Sequence, residues 1–202
     1  MDHKGTVSLE TDRLLLRRFV IEDAGAMYGN WASDAAVTKF LTWPAHASVD
    51  VTKKVLASWI AAYERADFYN WAMELKQTGE LIGNIAVGKF REDIASAELG
   101  YCMGTKWWGQ GLMPEAGRAV VRYLFDEVGF NRIAAAHAVG NPKSGRVMQK
   151  LGMRYEGTMR KAGVCNQGVI DEVWYSILRD EFYEKASPVQ GEVPSGSEAE
   201  GL

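Results

Sequence analysis

Between a run whose side chains alternate, AELGYCM (97–103), and a run that reads as a helix (114–128), the chain places Trp107-Trp108-Gly109-Gln110-Gly111. Two glycines one residue apart leave the backbone bare just before a helix begins. Such a turn lets backbone N–H groups come close to another molecule, and the helix N-terminus adds partial positive charge. The amides of Gly109, Gln110, Gly111, Leu112 and Met113 precede Pro114, which has no N–H to offer, so this stretch is shaped to cradle an anion such as a pyrophosphate. Lys106 adds a charge at the rim. The competing reading is a strand-to-helix turn whose tryptophans pack in the core. The Walker pattern is absent, and GQGLMP has proline where the third glycine of a dinucleotide fingerprint would stand.

The rest of the chain supplies the setting. RLLLRRF (13–19) reads as a strand, followed by apolar residues at helical spacing from Val20 to Trp31. A second helix follows Ser48 or Asp50, with Val55, Trp59, Ala62 and Tyr63 on one stripe. WAMELK (71–76) and LIGNIAVGKF (81–90), joined by QTGE, form a hairpin. The helix 114–128 has Pro114 at its first position and Gly129 past its end; NRIAAAHAV (131–139) is a strand. Asn141 caps a short helix that starts at Pro142 and stops at Gly152, and two strands, MRYEGTMRKAG and VIDEVWYSIL, close the order. This succession predicts an α/β (α+β) domain: a mixed central sheet of about six to seven strands flanked by helices on both faces. It spans residues 1–185, and the Pro-, Gly-, Ser- and Glu-bearing tail 186–202 is expected to be disordered.

A net charge of −3 leaves no overall basic field to hold nucleic acid or an anionic membrane, so any anion must be bound by local geometry. The two cysteines, Cys102 and Cys165, lie far apart and read as free thiols; with three scattered histidines they make a zinc site an unfavoured reading. No run approaches the roughly 20 apolar residues of a membrane span, and a cytoplasmic location is expected.

The ordered set of segments resembles the GNAT (Gcn5-related) N-acetyltransferases, most closely their RimJ/RimL-like branch. LETDRLLLRRFVIEDA resembles the opening strand and helix start, and VTKFLTWPAHAS the first inter-helix loop. TGELIGNIAV resembles the central hairpin, and AELGYCMGTKWWGQGLMPEA the acetyl-CoA motif. NRIAAAHAVGNPKSGRVMQKLGMRYEGTMR resembles the strand, Asn-x-x-Ser helix and start of the last hairpin. The motif's first place, Gln or Arg in the general family, falls on Trp108 and its last on Met113, while Gly111 is kept. The resemblance implies the GNAT fold and direct transfer of acetyl from acetyl-CoA to a primary amine, without a metal. In this branch the acceptor is the N-terminal α-amine of a protein, a ribosomal one among them. A small-molecule amine or antibiotic acetyltransferase, or a non-catalytic acyl-CoA-binding module, is the alternative. The partners expected are acetyl-CoA and the amine acceptor, with a homodimer left open and neither nucleic acid nor membrane among them.

Amine acetylation needs a base for the amine, polarisation of the thioester carbonyl, a proton for the thiolate and alignment of both substrates. Alternation puts Glu98, Gly100 and Cys102 on one strand face, so Glu98 has room beside it and is the candidate base; a solvated strand carboxylate is the alternative. The resemblance implies that Asn141 bonds the pantetheine arm and that Ser144 lies near the sulfur as proton donor. A water and Tyr155, the latter expected in the core, are its rivals. It also implies that backbone amides around Cys102 and Met103 bind the arm and polarise the carbonyl. Cys102 has no His or Lys placed to activate it and reads as a small strand residue. His137 reads as core. His46, after Trp43-Pro44, lies in a loop that borders the acceptor pocket in the family; with Trp31 and Trp43 it is a candidate for shaping acceptor choice, and loop packing is the alternative.

Overall fold

The computed structural model describes residues 1–184, and the tail expected from residue 186 lies outside the described residues. Eight strands form a single sheet in the order β1-β2-β3-β4-β5-β6-β8-β7. They are β1 Leu9–Glu10, β2 Leu14–Arg17, β3 Asn70–Leu75, β4 Leu81–Arg91, β5 Ser96–Met103, β6 Arg132–Ala138, β7 Arg154–Cys165 and β8 Gly168–Leu178. The two-residue β1 was too short to be read from sequence.

Every neighbouring pair is antiparallel except β5 with β6. That parallel pair holds only at Ser96, Ala97 and Glu98 against Arg132, Ile133 and Ala134. Beyond Glu98 the strands run on as far as Met103 and Ala138 without pairing, so a cleft opens between them.

Helices cover both faces. On one, α1 (Ala24–Met27, continued by a π-helical turn Tyr28–Ala32), α2 (Ala35–Thr38) and α3 (Val49–Ala62) bury Phe19, Trp31 and Leu56. On the other, α4 (Leu112–Tyr123, continued by a π-helical turn Leu124–Val128), α5 (Pro142–Lys150) and α6 (Arg179–Glu184) pack Val120, Phe125, Met148 and Phe182 against Ile133, Tyr175 and Ile177.

Helix α4 begins two residues earlier than expected. Gly111 at φ 77° makes the left-handed turn at its N-cap, and its carbonyl accepts from the Glu115 amide. Pro114 is therefore the third helical residue. Proline costs nothing there, because first-turn amides have no helical acceptor.

One half-buried ion cluster fixes where β2 hands over to α1. Arg17 donates from Nη1 and Nη2 to the two carboxylate oxygens of Asp23 (2.8 and 2.9 Å) and from Nε to Glu74 (2.7 Å). Asp23 also accepts from the Val20 amide at 2.9 Å. The first residues of the chain are tied down too. The Gly5 carbonyl accepts from Tyr123, the Val7 carbonyl from the Trp71 indole, and Thr6 bridges Phe68 and Asn70.

Candidate active site

The cleft between β5 and β6 opens into a cavity of about 650 Å³. Tyr101, Cys102 and Met103 supply its floor, Gly109 and Gly111 to Pro114 one wall, α5 the facing wall, and Val37, Phe40 and Leu41 its roof. Among the described residues lining it are Lys39, Lys143, Arg146 and Lys150, and no carboxylate. In a chain of net charge −3, this is a local pole of positive charge.

The glycine turn opens directly on this space. Gly109 (φ 80°) and Gly111 (φ 77°) both take the left-handed region, where any side chain is strained. A methyl group at Gly109 would meet nothing within 4 Å, and at Gly111 only an Arg13 nitrogen at 3.7 Å, so the bare side faces free volume. Glu115 in the first turn of α4 could compete with an anion for the helix N-terminus. Instead it accepts from Thr11 Oγ1 (2.6 Å), the Arg13 amide (2.9 Å) and Arg13 Nε (2.7 Å). Burial opposes ionisation of Glu115, and these hydrogen bonds outweigh it, holding the carboxyl below the usual carboxylate range.

Trp107 is buried and Trp108 half-exposed. The Trp108 indole donates to the Met103 carbonyl at 2.7 Å, and the Lys143 ammonium lies 4.5 Å from its ring centroid. These contacts join the glycine turn to both β5 and α5. Lys106 and Gln110 sit elsewhere: Lys106 donates to Glu80 at 2.6 Å, Gln110 Nε2 to the Lys106 carbonyl at 3.1 Å, and neither lines the cavity.

Asn141 holds the N-cap position of α5 without a side-chain capping bond, so its amide, half-buried at the cavity wall, is not spent on the helix. Ser144 follows one turn in. Its carbonyl accepts from the Tyr101 hydroxyl at 3.0 Å, and the two hydroxyl oxygens also lie 3.0 Å apart. A phenol has one proton; with that proton on the carbonyl, the Ser144 hydroxyl donates to Tyr101. Burial raises the Tyr101 hydroxyl above its ordinary value, the bond to Ser144 partly opposing, and keeps it protonated. Alternation along β5 sets Tyr101 on the face opposite Glu98, but its meeting with Ser144 depends on how α5 docks. Tyr155, expected in the core, is instead 59% exposed on the sheet's edge strand, 3.1 Å from Thr158 Oγ1.

Glu98 stands on the last rung before β5 and β6 part. Its carboxylate makes no hydrogen bond among the described residues and does not line the cavity. Nearby, Arg132 is gripped by Glu156 (2.7 and 2.6 Å), which raises the guanidinium's pKa, with a smaller contribution from the charge of Glu98. On the same strand face as Glu98, the Cys102 thiol donates to Asn84 Oδ1 at 2.9 Å, and burial pushes it up to about 12. It is held as a neutral thiol.

Of the aromatic group, Trp31 is fully buried beneath α1, whereas Trp43 and His46 lie together in the loop before α3, rings 5.2 Å apart. His46 is bonded through Nδ1 to Thr52 Oγ1 at 2.8 Å, and burial lowers its pKa. His137 is half-buried and stacks on Tyr175.

The cations of α5 were missed in the sequence reading. Lys143, Arg146 and Lys150 recur at helical spacing in PKSGRVMQK, opposite Gly145 and Met148, which are buried. That periodicity was a signal, although it does not say what the exposed face looks onto.

Among the described residues, no helix is long and apolar enough to cross a membrane, and no cluster of His, Cys, Asp and Glu is arranged to hold a metal. Residues 13–154 match the family described as Acetyltransferase (GNAT) domain. The N-acetyltransferase YoaA of Bacillus subtilis (strain 168) is 31% identical over 171 residues, 85% of this chain and 96% of its own. The [Ribosomal protein uS5]-alanine N-acetyltransferase of Escherichia coli (strain K12) is 28% identical over 163 residues, 75% of this chain and 80% of its own. Among solved structures, the acetyltransferase (GNAT family) from Bacillus anthracis is 28% identical and superposes with a TM-score of 0.75, over 86% of this chain and 99% of that one.

Proposed function

The chain belongs to the GNAT family of acetyl-CoA-dependent N-acetyltransferases, and from that premise we propose that it acetylates the N-terminal α-amine of a protein, a ribosomal protein being the leading candidate. The observation that carries the siting of the chemistry is the cation-lined cavity without carboxylates, which runs from the glycine turn to the parting of β5 and β6. The choice of acceptor is supported by the likeness to the uS5-alanine enzyme.

In this reading the amides from Gly109 to Met113 hold the pyrophosphate of acetyl-CoA at the start of α4. Lys39, Lys143, Arg146 and Lys150 supply the opposite charge that the chain as a whole lacks. Asn141 offers its free amide to the pantetheine arm. Backbone amides of Cys102 and Met103 polarise the thioester carbonyl and stabilise the oxyanion.

Glu98 takes the proton from the attacking amine, directly or through a water. The new N–C bond forms as the carbonyl electrons move to oxygen. When they return, the C–S bond breaks and the thiolate takes a proton from Ser144, whose hydroxyl is held in place by Tyr101, or from a water. Neither Cys102 nor a metal is needed for this sequence of steps.

The test of acceptor class is single-turnover mass measurement with acetyl-CoA against peptides of different first residue, polyamines and aminoglycosides. Acetylation of peptides at their first residue alone is expected. Acetylation of polyamines or aminoglycosides in preference to every peptide would assign the enzyme to small amines instead.

The cradle makes its own prediction. Gly111→Val places a branched side chain on the bare side of the turn at a φ that valine resists. Acetyl-CoA affinity should fall at least about tenfold, beyond a stability loss of about 1–2 kcal/mol from the left-handed backbone. Titration calorimetry beside a thermal melt separates the two. Unchanged affinity in the folded variant would remove the phosphates from this turn.

A further inference from the structure

We infer that Asn166 is a positioning residue whose side chain clasps the segment 38–43 shut as a roof over the cavity, and that release of this clasp governs the escape of acetyl-CoA. The inference rests on the reading that acetyl-CoA lies in that cavity.

Asn166 sits in the turn between β7 and β8, at the far tip of the last hairpin. From there it reaches a loop more than a hundred residues earlier. Its side-chain nitrogen donates to the Thr38 carbonyl at 2.8 Å and to the Trp43 carbonyl at 2.7 Å, and its backbone amide donates to the Leu41 carbonyl at 3.1 Å. A carboxamide nitrogen has two protons, and both are used. Because the two facing groups are carbonyls, only the nitrogen can point at them. An aspartate at 166 would set a carboxylate against both oxygens.

The held segment belongs to the other half of the molecule. Val37 is buried in the core that α1 and α3 share with the sheet, and Leu41 and Trp43 pack against that core. Phe40, between them, crosses to the turn after β6, where a Cβ added at Gly140 would come 3.3 and 3.4 Å from its ring. The segment therefore spans the cleft between β5 and β6, anchored by Phe40 at one turn and by Asn166 at another. Val37, Phe40 and Leu41 line the cavity from above.

Asn166 itself is exposed and adds no apolar contact to the core. What it contributes is polar and local, a clasp that can let go without the domain unfolding. Losing two such hydrogen bonds corresponds to about a 10–100-fold shift toward the open form.

The test compares wild type with Asn166→Ala and Asn166→Asp. Stopped-flow dissociation of acetyl-CoA is measured alongside amide hydrogen exchange over residues 39–46 and a thermal melt. Dissociation about 10–100-fold faster, faster exchange in that segment and a nearly unchanged melt are expected, with aspartate the stronger variant. A merely structural asparagine would shift the melt and leave the dissociation rate alone. Dissociation from folded Asn166→Asp within twofold of wild type overturns the inference. If wild type fails to bind acetyl-CoA, the siting of the ligand is wrong. The exchange measurement then decides the clasp alone, faster exchange in the variants supporting it and unchanged exchange overturning it.

Discussion

Glu98→Gln lowers turnover by about 10²–10⁴-fold while acetyl-CoA binds as before, the loss expected when a general base is removed. Glutamine keeps the shape of the side chain, and the phosphates are held at the start of α4, so binding and chemistry separate. The carboxylate suits the task because no hydrogen bond holds it among the described residues: Arg132, which feels its charge, is already engaged by Glu156. The pH dependence identifies the acceptor as well. As pH rises through the pKa of the acceptor, a growing share of it is already neutral and needs no base, so the gap between wild type and variant narrows. For an α-amine of pKa about 8 this happens below about pH 9; for a lysine-like amine near 10.4 it does not. Near-normal turnover of the variant at neutral pH would leave Glu98 as an ordinary strand residue.

Asp23→Ala costs about 2–3 kcal/mol of stability, because it leaves a half-buried cation without its bidentate partner rather than merely deleting a bond. Asp23 is 7% exposed and receives two of the Arg17 donors as well as the Val20 amide. Its hydrogen bond is the main reason the Arg17 guanidinium is raised above its ordinary value, against the pull of burial and with Glu74 assisting. With Asp23 gone, Arg17 keeps Glu74 and the Arg18 carbonyl but loses its bidentate partner while still half-buried. A denaturant or thermal melt should show a loss on the order of 10 °C for a domain of this size. Adding Arg17→Met should restore part of it, since an apolar chain of similar length needs no partner. If the double variant is less stable than Asp23→Ala alone, the cost lies in the lost cap at Val20 and not in the stranded charge.

Features that depend on neighbours in sequence were legible, and those that depend on docking were not. Alternation in AELGYCM and LIGNIAVGKF places β5 and β4 correctly, and the paired glycines mark a turn that the structure opens onto the cavity. Proline's preference for the first helical position points to a start at Pro114, whereas a left-handed glycine three positions earlier sets the cap. Tyr155 was expected inside because it follows Gly152; the local pattern does not reveal that β7 is an edge strand. The Tyr101–Ser144 pair and the reach of Asn166 to Thr38 and Trp43 join elements far apart in the chain, and no spacing rule anticipates them. The α5 cations show an intermediate case: their spacing was visible, but the meaning of their face came only with the cavity.

The short parallel pair at Ser96–Glu98 and Arg132–Ala134 also has a mechanical consequence. On either side of it the sheet is a leaf of antiparallel strands, β1 to β5 and β6 to β8, and the strands flanking the joint, β4 with β5 and β6 with β8, are paired along much longer ladders. The joint between the leaves is thus the place where the sheet has fewest backbone bonds between long strands, and the shared core of Ala97, Leu99, Ile133 and Ile177 carries the rest. A long, thin molecule seated in the cleft would rivet the leaves together. Its departure would return the protein to a looser, more easily parted form, so that the resistance of the fold to heat would track how much of the acetyl donor surrounds it.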